Sequence, residues 1–185
     1  MTGLDMLWIP ILLSAIAVFI ASSIIHMATP WHKSDFGKLP NEDAVMDALR
    51  PLAIPPGDYC TPRPNDGKDM RSPEFIAKMN KGPVMMLTMM PNAMMNMGQA
   101  LIQWFVYCVI VGVFAAYIGG RALPVGADHA RVMQFVAVTA FIGYALALSQ
   151  SSIWYKRAWM ATFKSNVDGL IYALLTGAIF AWLWP

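Results

Sequence analysis

The stretch DGLIYALLTGAIFAWLWP, Asp168 to Pro185, opens on a carboxylate and then runs 17 residues without a charge. A helix rises about 1.5 Å per residue and a bilayer's hydrocarbon core is about 30 Å thick, so roughly 20 apolar residues make one crossing. This run is the shortest of four. No Asp, Glu, Lys or Arg lies between Asp5 and Lys33, between Lys81 and Arg121, or between Arg131 and Lys156. Only 13% of the chain is charged, while 57% is hydrophobic. Soluble domains carry about 25% charged residues. The sequence therefore predicts an all-α polytopic membrane protein, a single membrane domain over residues 1–185 with four transmembrane helices. These cover about 7–28, 92–119, 131–154 and 167–184. A long loop, about 29–82, contains short helices, and a Met-rich interfacial or re-entrant segment covers about 83–91.

The first apolar run reads as a retained helix rather than a cleaved signal. Its flank, MTGLD, has no Lys or Arg, whereas a signal peptide begins with a positive region. Pro10 falls in the first turn, where a missing N–H is harmless. Basic residues set the expected orientation. With four crossings, the loops after helices one and three share a side and hold eleven Lys and Arg, against Arg121 and Arg131 on the other side. The positive-inside rule then places both termini outside and the long loop in the cytoplasm. WHKSDFGKLPNEDAVMDALRP and SNVDGLIYALLTGAIFAWLWP look like parts of a bacterial membrane protein, which implies an inner-membrane location. Trp182 and Trp184 suit an interfacial belt.

Within the long loop, Asn41 is placed to cap a short helix that Pro51 stops. Ser72, Pro73 and Glu74 open a second helix, and Gly82 ends it. IPPGDYCTPRPNDG is dense in Pro and Gly and reads as extended or turning. No strand pattern is visible. Cys60 and Cys108 read as free thiols, because two cysteines in such different surroundings make no disulfide framework.

Periodicity within the helices supplies the candidate sites. Small residues recur every four positions at Gly169, Ala173, Gly177 and Ala181, and again at Gly112, Ala116 and Gly120. Such stripes let backbones approach closely, either within the chain or between subunits. Helix two carries a polar face of Asn92, Asn96, Gln99, Gln103 and Tyr107. Carboxamides left unsatisfied in lipid cost several kcal/mol each, so this face is expected to point inward, toward a partner, or along a path. Helix four adds Asp168, Tyr172 and Thr176 at the same spacing. Asp168 is expected at the helix N-terminus, paired with Lys164 or Arg157.

The residues from Val84 to Gln99 hold seven of the chain's fifteen methionines. Thioethers suit Cu(I), and Met85, Met86, Met89, Met90, Met94, Met95 and Met97, joined by His26 and His32, form a candidate soft-metal set. The competing expectation is adaptable packing. Continuous helix from Gly82 to Gly120 would be about 57 Å long, too long for one crossing, so a break is expected at Pro91. A haem is not expected, since His26 and His129 fall at opposite ends of the crossings. HMATPWHKSDF is the densest polar and aromatic cluster, with a membrane exit as its plain reading.

No motif for hydrolysis, phosphate binding or redox chemistry is present, and no basic run suggests nucleic acid. The expected function is a non-catalytic assembly or accessory subunit, with no cofactor. Its partners are the lipid bilayer and either a second copy of itself (a homo-oligomer) or other membrane subunits. A small transporter or channel with a polar path along helix two, and a Cu(I)-handling membrane protein, are the alternatives.

Overall fold

A computed structural model of the chain describes residues 2–185. In chain order the helices are α1 (Trp8–Ser23), α2 (Glu42–Leu49), α3 (Pro73–Lys81), α4 (Met97–Ala122), α5 (His129–Tyr144), α6 (Ser149–Tyr155) and α7 (Trp159–Trp182). Two strands, β1 (Gly57–Thr61) and β2 (Met85–Met89), pair antiparallel. Where the sequence reads as one domain, the chain divides into two compact units, residues 1–37 with 96–185 and residues 38–95.

The first unit is a helical bundle in which the main contacts follow the cycle α1, α4, α5, α7 and back to α1. A short connection makes α4 and α5 antiparallel neighbours, whereas α1 and α4 are joined only through residues 24–96. At one end Thr2 N–H donates to Gly120 O (2.8 Å), and Trp184 Nε1 donates to Pro124 O (2.9 Å). Both termini therefore lie beside the turn between α4 and α5. The core has two layers. Leu7, Ile11, Val132, Val136 and Phe180 fill the layer near the termini. Ala15, Val18, Cys108, Tyr144 and Tyr172 fill the other.

Three helical stretches are long and apolar enough to cross a membrane: Trp8–Ala28, Met97–Ala122 and His129–Tyr155. The third spans α5, a one-turn break at Ala145–Leu148, and α6. The outer face of the bundle matches, with Ile9, Leu12, Ile16 and Ile20 of α1 and Ile102, Val106, Ile110 and Phe114 of α4 all exposed. Contiguous apolar surface of this kind marks a membrane or partner interface. The last helix, α7, begins eight residues earlier than its apolar pattern suggests and includes Lys164 and Asp168. It buries eleven of its 24 residues against seven of 26 in α4, so it contributes more to the interior than to the outer face.

The small-residue stripes are used inside the chain. A Cβ at Gly112 would touch Ile11, and one at Gly177 would lie 2.7 Å from Met133 Sδ and 2.9 Å from Ala137 Cβ. Gly169 has the same relation to Ala145. Gly120 is covered by Thr2, and Ala116, Ala173 and Ala181 are buried. These positions bring α1 against α4 and α5 against α7 without room for a side chain.

The second unit corrects the expectation of helix and loop alone. The methionine segment is not helical before Pro91: Met85–Met89 is a strand facing Gly57–Thr61, with Cys60 opposite Met86 and Asp58 opposite Thr88. Thr88 Oγ1 donates to Asp58 Oδ1 (2.6 Å). Neither segment carries the β-branched alternation that announces a strand, and the pairing spans a long loop, so local pattern did not reveal it. The length argument for an interfacial helix lapses with it, because α4 starts at Met97. The two short helices form as expected. Ser72 caps α3 by accepting from Phe75 N–H (3.1 Å), and Gly82 ends it at φ 62°. Asn41 precedes α2 in the left-handed region (φ 51°) and makes no side-chain cap.

Candidate functional site

The site is built where α1 ends. Ser22 and Ser23 hydroxyls donate to Phe19 O (2.9 and 2.8 Å), and Thr29 Oγ1 donates to Ile25 O (2.6 Å). Such back-bonding loosens the ordinary ladder. The helix widens here into a π turn, Ile24–Ala28, which carries His26. Single π turns recur at functional positions. Beyond Pro30 two tight turns close, Lys33 N–H to Pro30 O (3.1 Å) and Asp35 N–H to His32 O (3.0 Å). They lay Trp31, His32, Ser34 and Asp35 across the N-terminal half of α7.

There the groups interlock. His32 Nε2 meets Asp168 Oδ2 at 2.7 Å and His32 Nδ1 meets Asp35 Oδ2 at 2.7 Å. Trp31 Nε1 donates to Asp168 Oδ1 (3.0 Å). Lys164 Nζ donates to Trp31 O (2.7 Å), Ser34 Oγ (2.8 Å) and Asp35 Oδ1 (3.2 Å), which uses all three ammonium hydrogens. It also lies 5.5 Å from the Trp31 ring centre, a cation–π distance. His26 stacks on His32 with ring centres 4.1 Å apart. Asp168 is 3% exposed and Lys164 8%, so these charges are removed from water and must compensate one another.

Both ring nitrogens of His32 face carboxylate oxygens. A neutral imidazole has one donor and one lone pair, and a lone pair would oppose one of the carboxylates. The second nitrogen therefore needs a hydrogen or a cation between it and the carboxylate it faces. Lys164 Nζ lies 3.2 Å from Asp35 Oδ1, and Arg157 Nη2 lies 4.0 Å from Asp35 Oδ2. Burial works against the charge on Asp35, but the hydrogen bonds from His32 and Lys164 outweigh it and hold its carboxyl below the usual carboxylate range.

An apolar cleft of about 400 Å³ reaches Asp168 between Ile25, Thr29, Pro30, Trp31, Val167 and Ile171. On the inner side of Asp168, one and two turns along α7, stand Tyr172 and Thr176, both buried. Tyr172, Tyr144, Tyr107 and Trp104 form an aromatic cluster with ring centres 5.6–6.2 Å apart. Trp104 Nε1 donates to Ser22 Oγ (2.8 Å), tying α4 to α1.

The other expected site residues fare differently. Asp168 is not an N-terminal group paired with Lys164 or Arg157. It sits in the third turn of α7 and bonds to His32 and Trp31, while Lys164 serves Asp35. The polar face of helix two points outward, not inward. Asn92 lies outside the helix, Asn96 caps it by accepting from Gln99 N–H (3.1 Å), and Gln99 and Gln103 are exposed. Tyr107 is satisfied within the chain, donating to Gly143 O. The face points outward because the inner side of α4 is taken by Cys108, Val111, Ala115 and the glycines.

The methionines do not converge as one set. On β2, Met85 and Met89 point to one face of the strand and Met86 to the other. Met90, Met94, Met95 and Met97 are exposed. Only Met85 and Met86 share a cleft, of about 430 Å³, with Cys60, Met70 and Met79. His26 and His32 belong to the bundle, beside Asp35 and Asp168.

The juxtaposition of His26, His32, Asp35, Lys164 and Asp168 was not legible in sequence. HMATPWHKSDF was visible as a polar cluster, but its acid partner lies more than 130 residues away along the chain. Comparison with protein-family models, curated proteins and solved structures gave no match to this chain.

Proposed function

We propose that this chain is a non-catalytic, four-span subunit of the bacterial inner membrane that assembles with a second copy of itself through the outer face of α4. The observation that carries this is Gln103. It stands exposed among Ile102, Val106 and Ile110, which are exposed as well. The 26 residues of α4 span about 39 Å against a hydrocarbon core of about 30 Å, so a centred helix keeps Gln103 inside the core. A carboxamide there needs a partner. A second copy supplies one, because a carboxamide both donates and accepts and is self-complementary across a two-fold axis.

On this reading α7 is the fourth span, since its 24 residues rise about 36 Å in all, while its N-terminal half also carries the polar groups of the site. The two termini share one end of the bundle, which supports an even number of crossings. The basic residues then place the His32 end in the cytoplasm.

Gln103→Leu tests the assembly. Two symmetric interhelical bonds at about 0.6–0.7 kcal/mol each make the wild-type dimer about tenfold tighter. Light scattering in mild detergent across a dilution series is expected to show a dimer for wild type and a shift toward monomer for Gln103→Leu. A monomeric wild type, or an unmoved equilibrium, counts against the proposal. A polar path along this face would run between copies rather than through one chain.

The cleft of Cys60, Met70, Met79, Met85 and Met86 favours a second reading, Cu(I) handling by residues 38–95. Loading with Cu(I) and replacing Met70, Met79, Met85 and Met86 by Leu decides it. Equal copper in both forms removes the reading.

A further inference from the structure

We infer that His26, His32 and Asp168 form a binding site for a divalent transition metal of the Zn²⁺ class. Nitrogen and oxygen donors of these three residues lie within 4.8 Å of one another. Two imidazoles and one carboxylate are a donor set that Zn²⁺ accepts, with a fourth position left for water or another ligand. Zn–N and Zn–O bonds of about 2.0–2.2 Å put neighbouring tetrahedral ligands about 3.4 Å apart. His32 Nε2 and Asp168 Oδ2, now 2.7 Å apart, need only separate by about 0.7 Å for an ion to take the place between them. His26 is exposed and must turn its ring out of the stack to aim a nitrogen at the same point.

The surroundings are those of a metal site rather than of a bare ion pair. A ligating histidine usually gives its other N–H to a carboxylate, which fixes its orientation. His32 does this to Asp35 at 2.7 Å, and Lys164 holds Asp35 in turn at 3.2 Å. The ligating carboxylate has its own support, since Trp31 Nε1 bonds the Asp168 oxygen that faces away from His32. Every outer partner is thus in place on two of the three ligands. A structural ion pair explains His32, Asp35, Lys164 and Asp168, but it gives no role to His26. The stacked second imidazole is what the metal reading accounts for. The nitrogen and oxygen donors separate this site from the sulfur-lined cleft of residues 38–95, which suits a soft ion.

The test uses the full chain in detergent or nanodiscs, stripped with chelator and then titrated with Zn²⁺, and with Co²⁺ as a spectroscopic probe. One equivalent per chain is expected, with the visible absorption of a four-coordinate Co²⁺. His26→Gln is the decisive variant, because His26 is exposed and makes no hydrogen bond or ion pair among the described residues, so its replacement removes only the stacking on His32. It should weaken binding by more than tenfold, and Asp168→Asn should do the same. Asp35→Asn, which alters the carboxylate that holds His32 Nδ1, should weaken it about 10- to 100-fold. His129→Ala and the Met→Leu form of residues 85–97 should bind as wild type. The inference is overturned if Zn²⁺ and Co²⁺ bind below one equivalent, if His26→Gln binds as tightly as wild type, or if only Cu(I) is retained. None of these outcomes depends on whether the chain forms a dimer through α4.

Discussion

Lys164 is the residue on which the buried charge depends. Its ammonium has three oxygen acceptors and almost no water, and it faces Asp35 inside the bundle end. Removing one partner of a buried pair costs about 3–5 kcal/mol when the other charge is left uncompensated, and removing both is often close to neutral; here Asp35 keeps His32 and Arg157, so the loss is smaller than that. Lys164→Met should therefore lower the thermal midpoint in detergent by a margin well beyond that of an exposed substitution such as Lys33→Met. Adding Asp35→Asn should recover part of the loss. Equal midpoints for Lys164→Met and wild type would show that water reaches the site and that the pair is not buried.

At the scale of elements, the four-residue spacing of glycine does different work from the four-residue spacing of amides. Glycine at 177 is required by contact: an added methyl would overlap Met133 and Ala137 of α5. Overpacking of this kind typically costs about 1–3 kcal/mol, so Gly177→Ala should destabilise the bundle, while Gly37→Ala, with open space around it, should not. The comparison is read in thermal unfolding of the two variants side by side. Ser72 illustrates a local rule that holds without help from the rest of the fold. Its hydroxyl caps α3, and Ser72→Ala should cost residues 38–95 about 1 kcal/mol, measurable as faster hydrogen exchange at Phe75 N–H.

For the whole molecule, the two compact units and the distribution of Lys and Arg give a topological prediction. Protease added to inverted membrane vesicles should cut within residues 38–95 and leave the helices of the bundle membrane-bound. In right-side-out spheroplasts the same segment should be protected. The reverse pattern would put the His32 end outside and reassign the termini to the cytoplasm.

Charge-free runs and their lengths were enough to announce apolar helices near residues 7–28, 92–119 and 131–154, the three stretches long and apolar enough to cross a membrane, because length and hydropathy are properties of each segment alone. Capping by Ser72 and termination at Gly82 were equally local. The spacing of Gly169, Ala173 and Gly177 announced close helix contact, but not that α5 would be the helix in contact. Three features depended on folding. The strand at Met85–Met89 exists because Gly57–Thr61 pairs with it across a long loop. Gln99 and Gln103 face outward because Cys108 and Val111, from the same helix, fit the core better. Asp168 meets His32 because the bundle's cyclic order sets the start of α7 beside the end of α1. Periodicity reports which residues share a face of one element. Which face turns inward, and which residue it meets, is settled by competition among all the elements for the same interior.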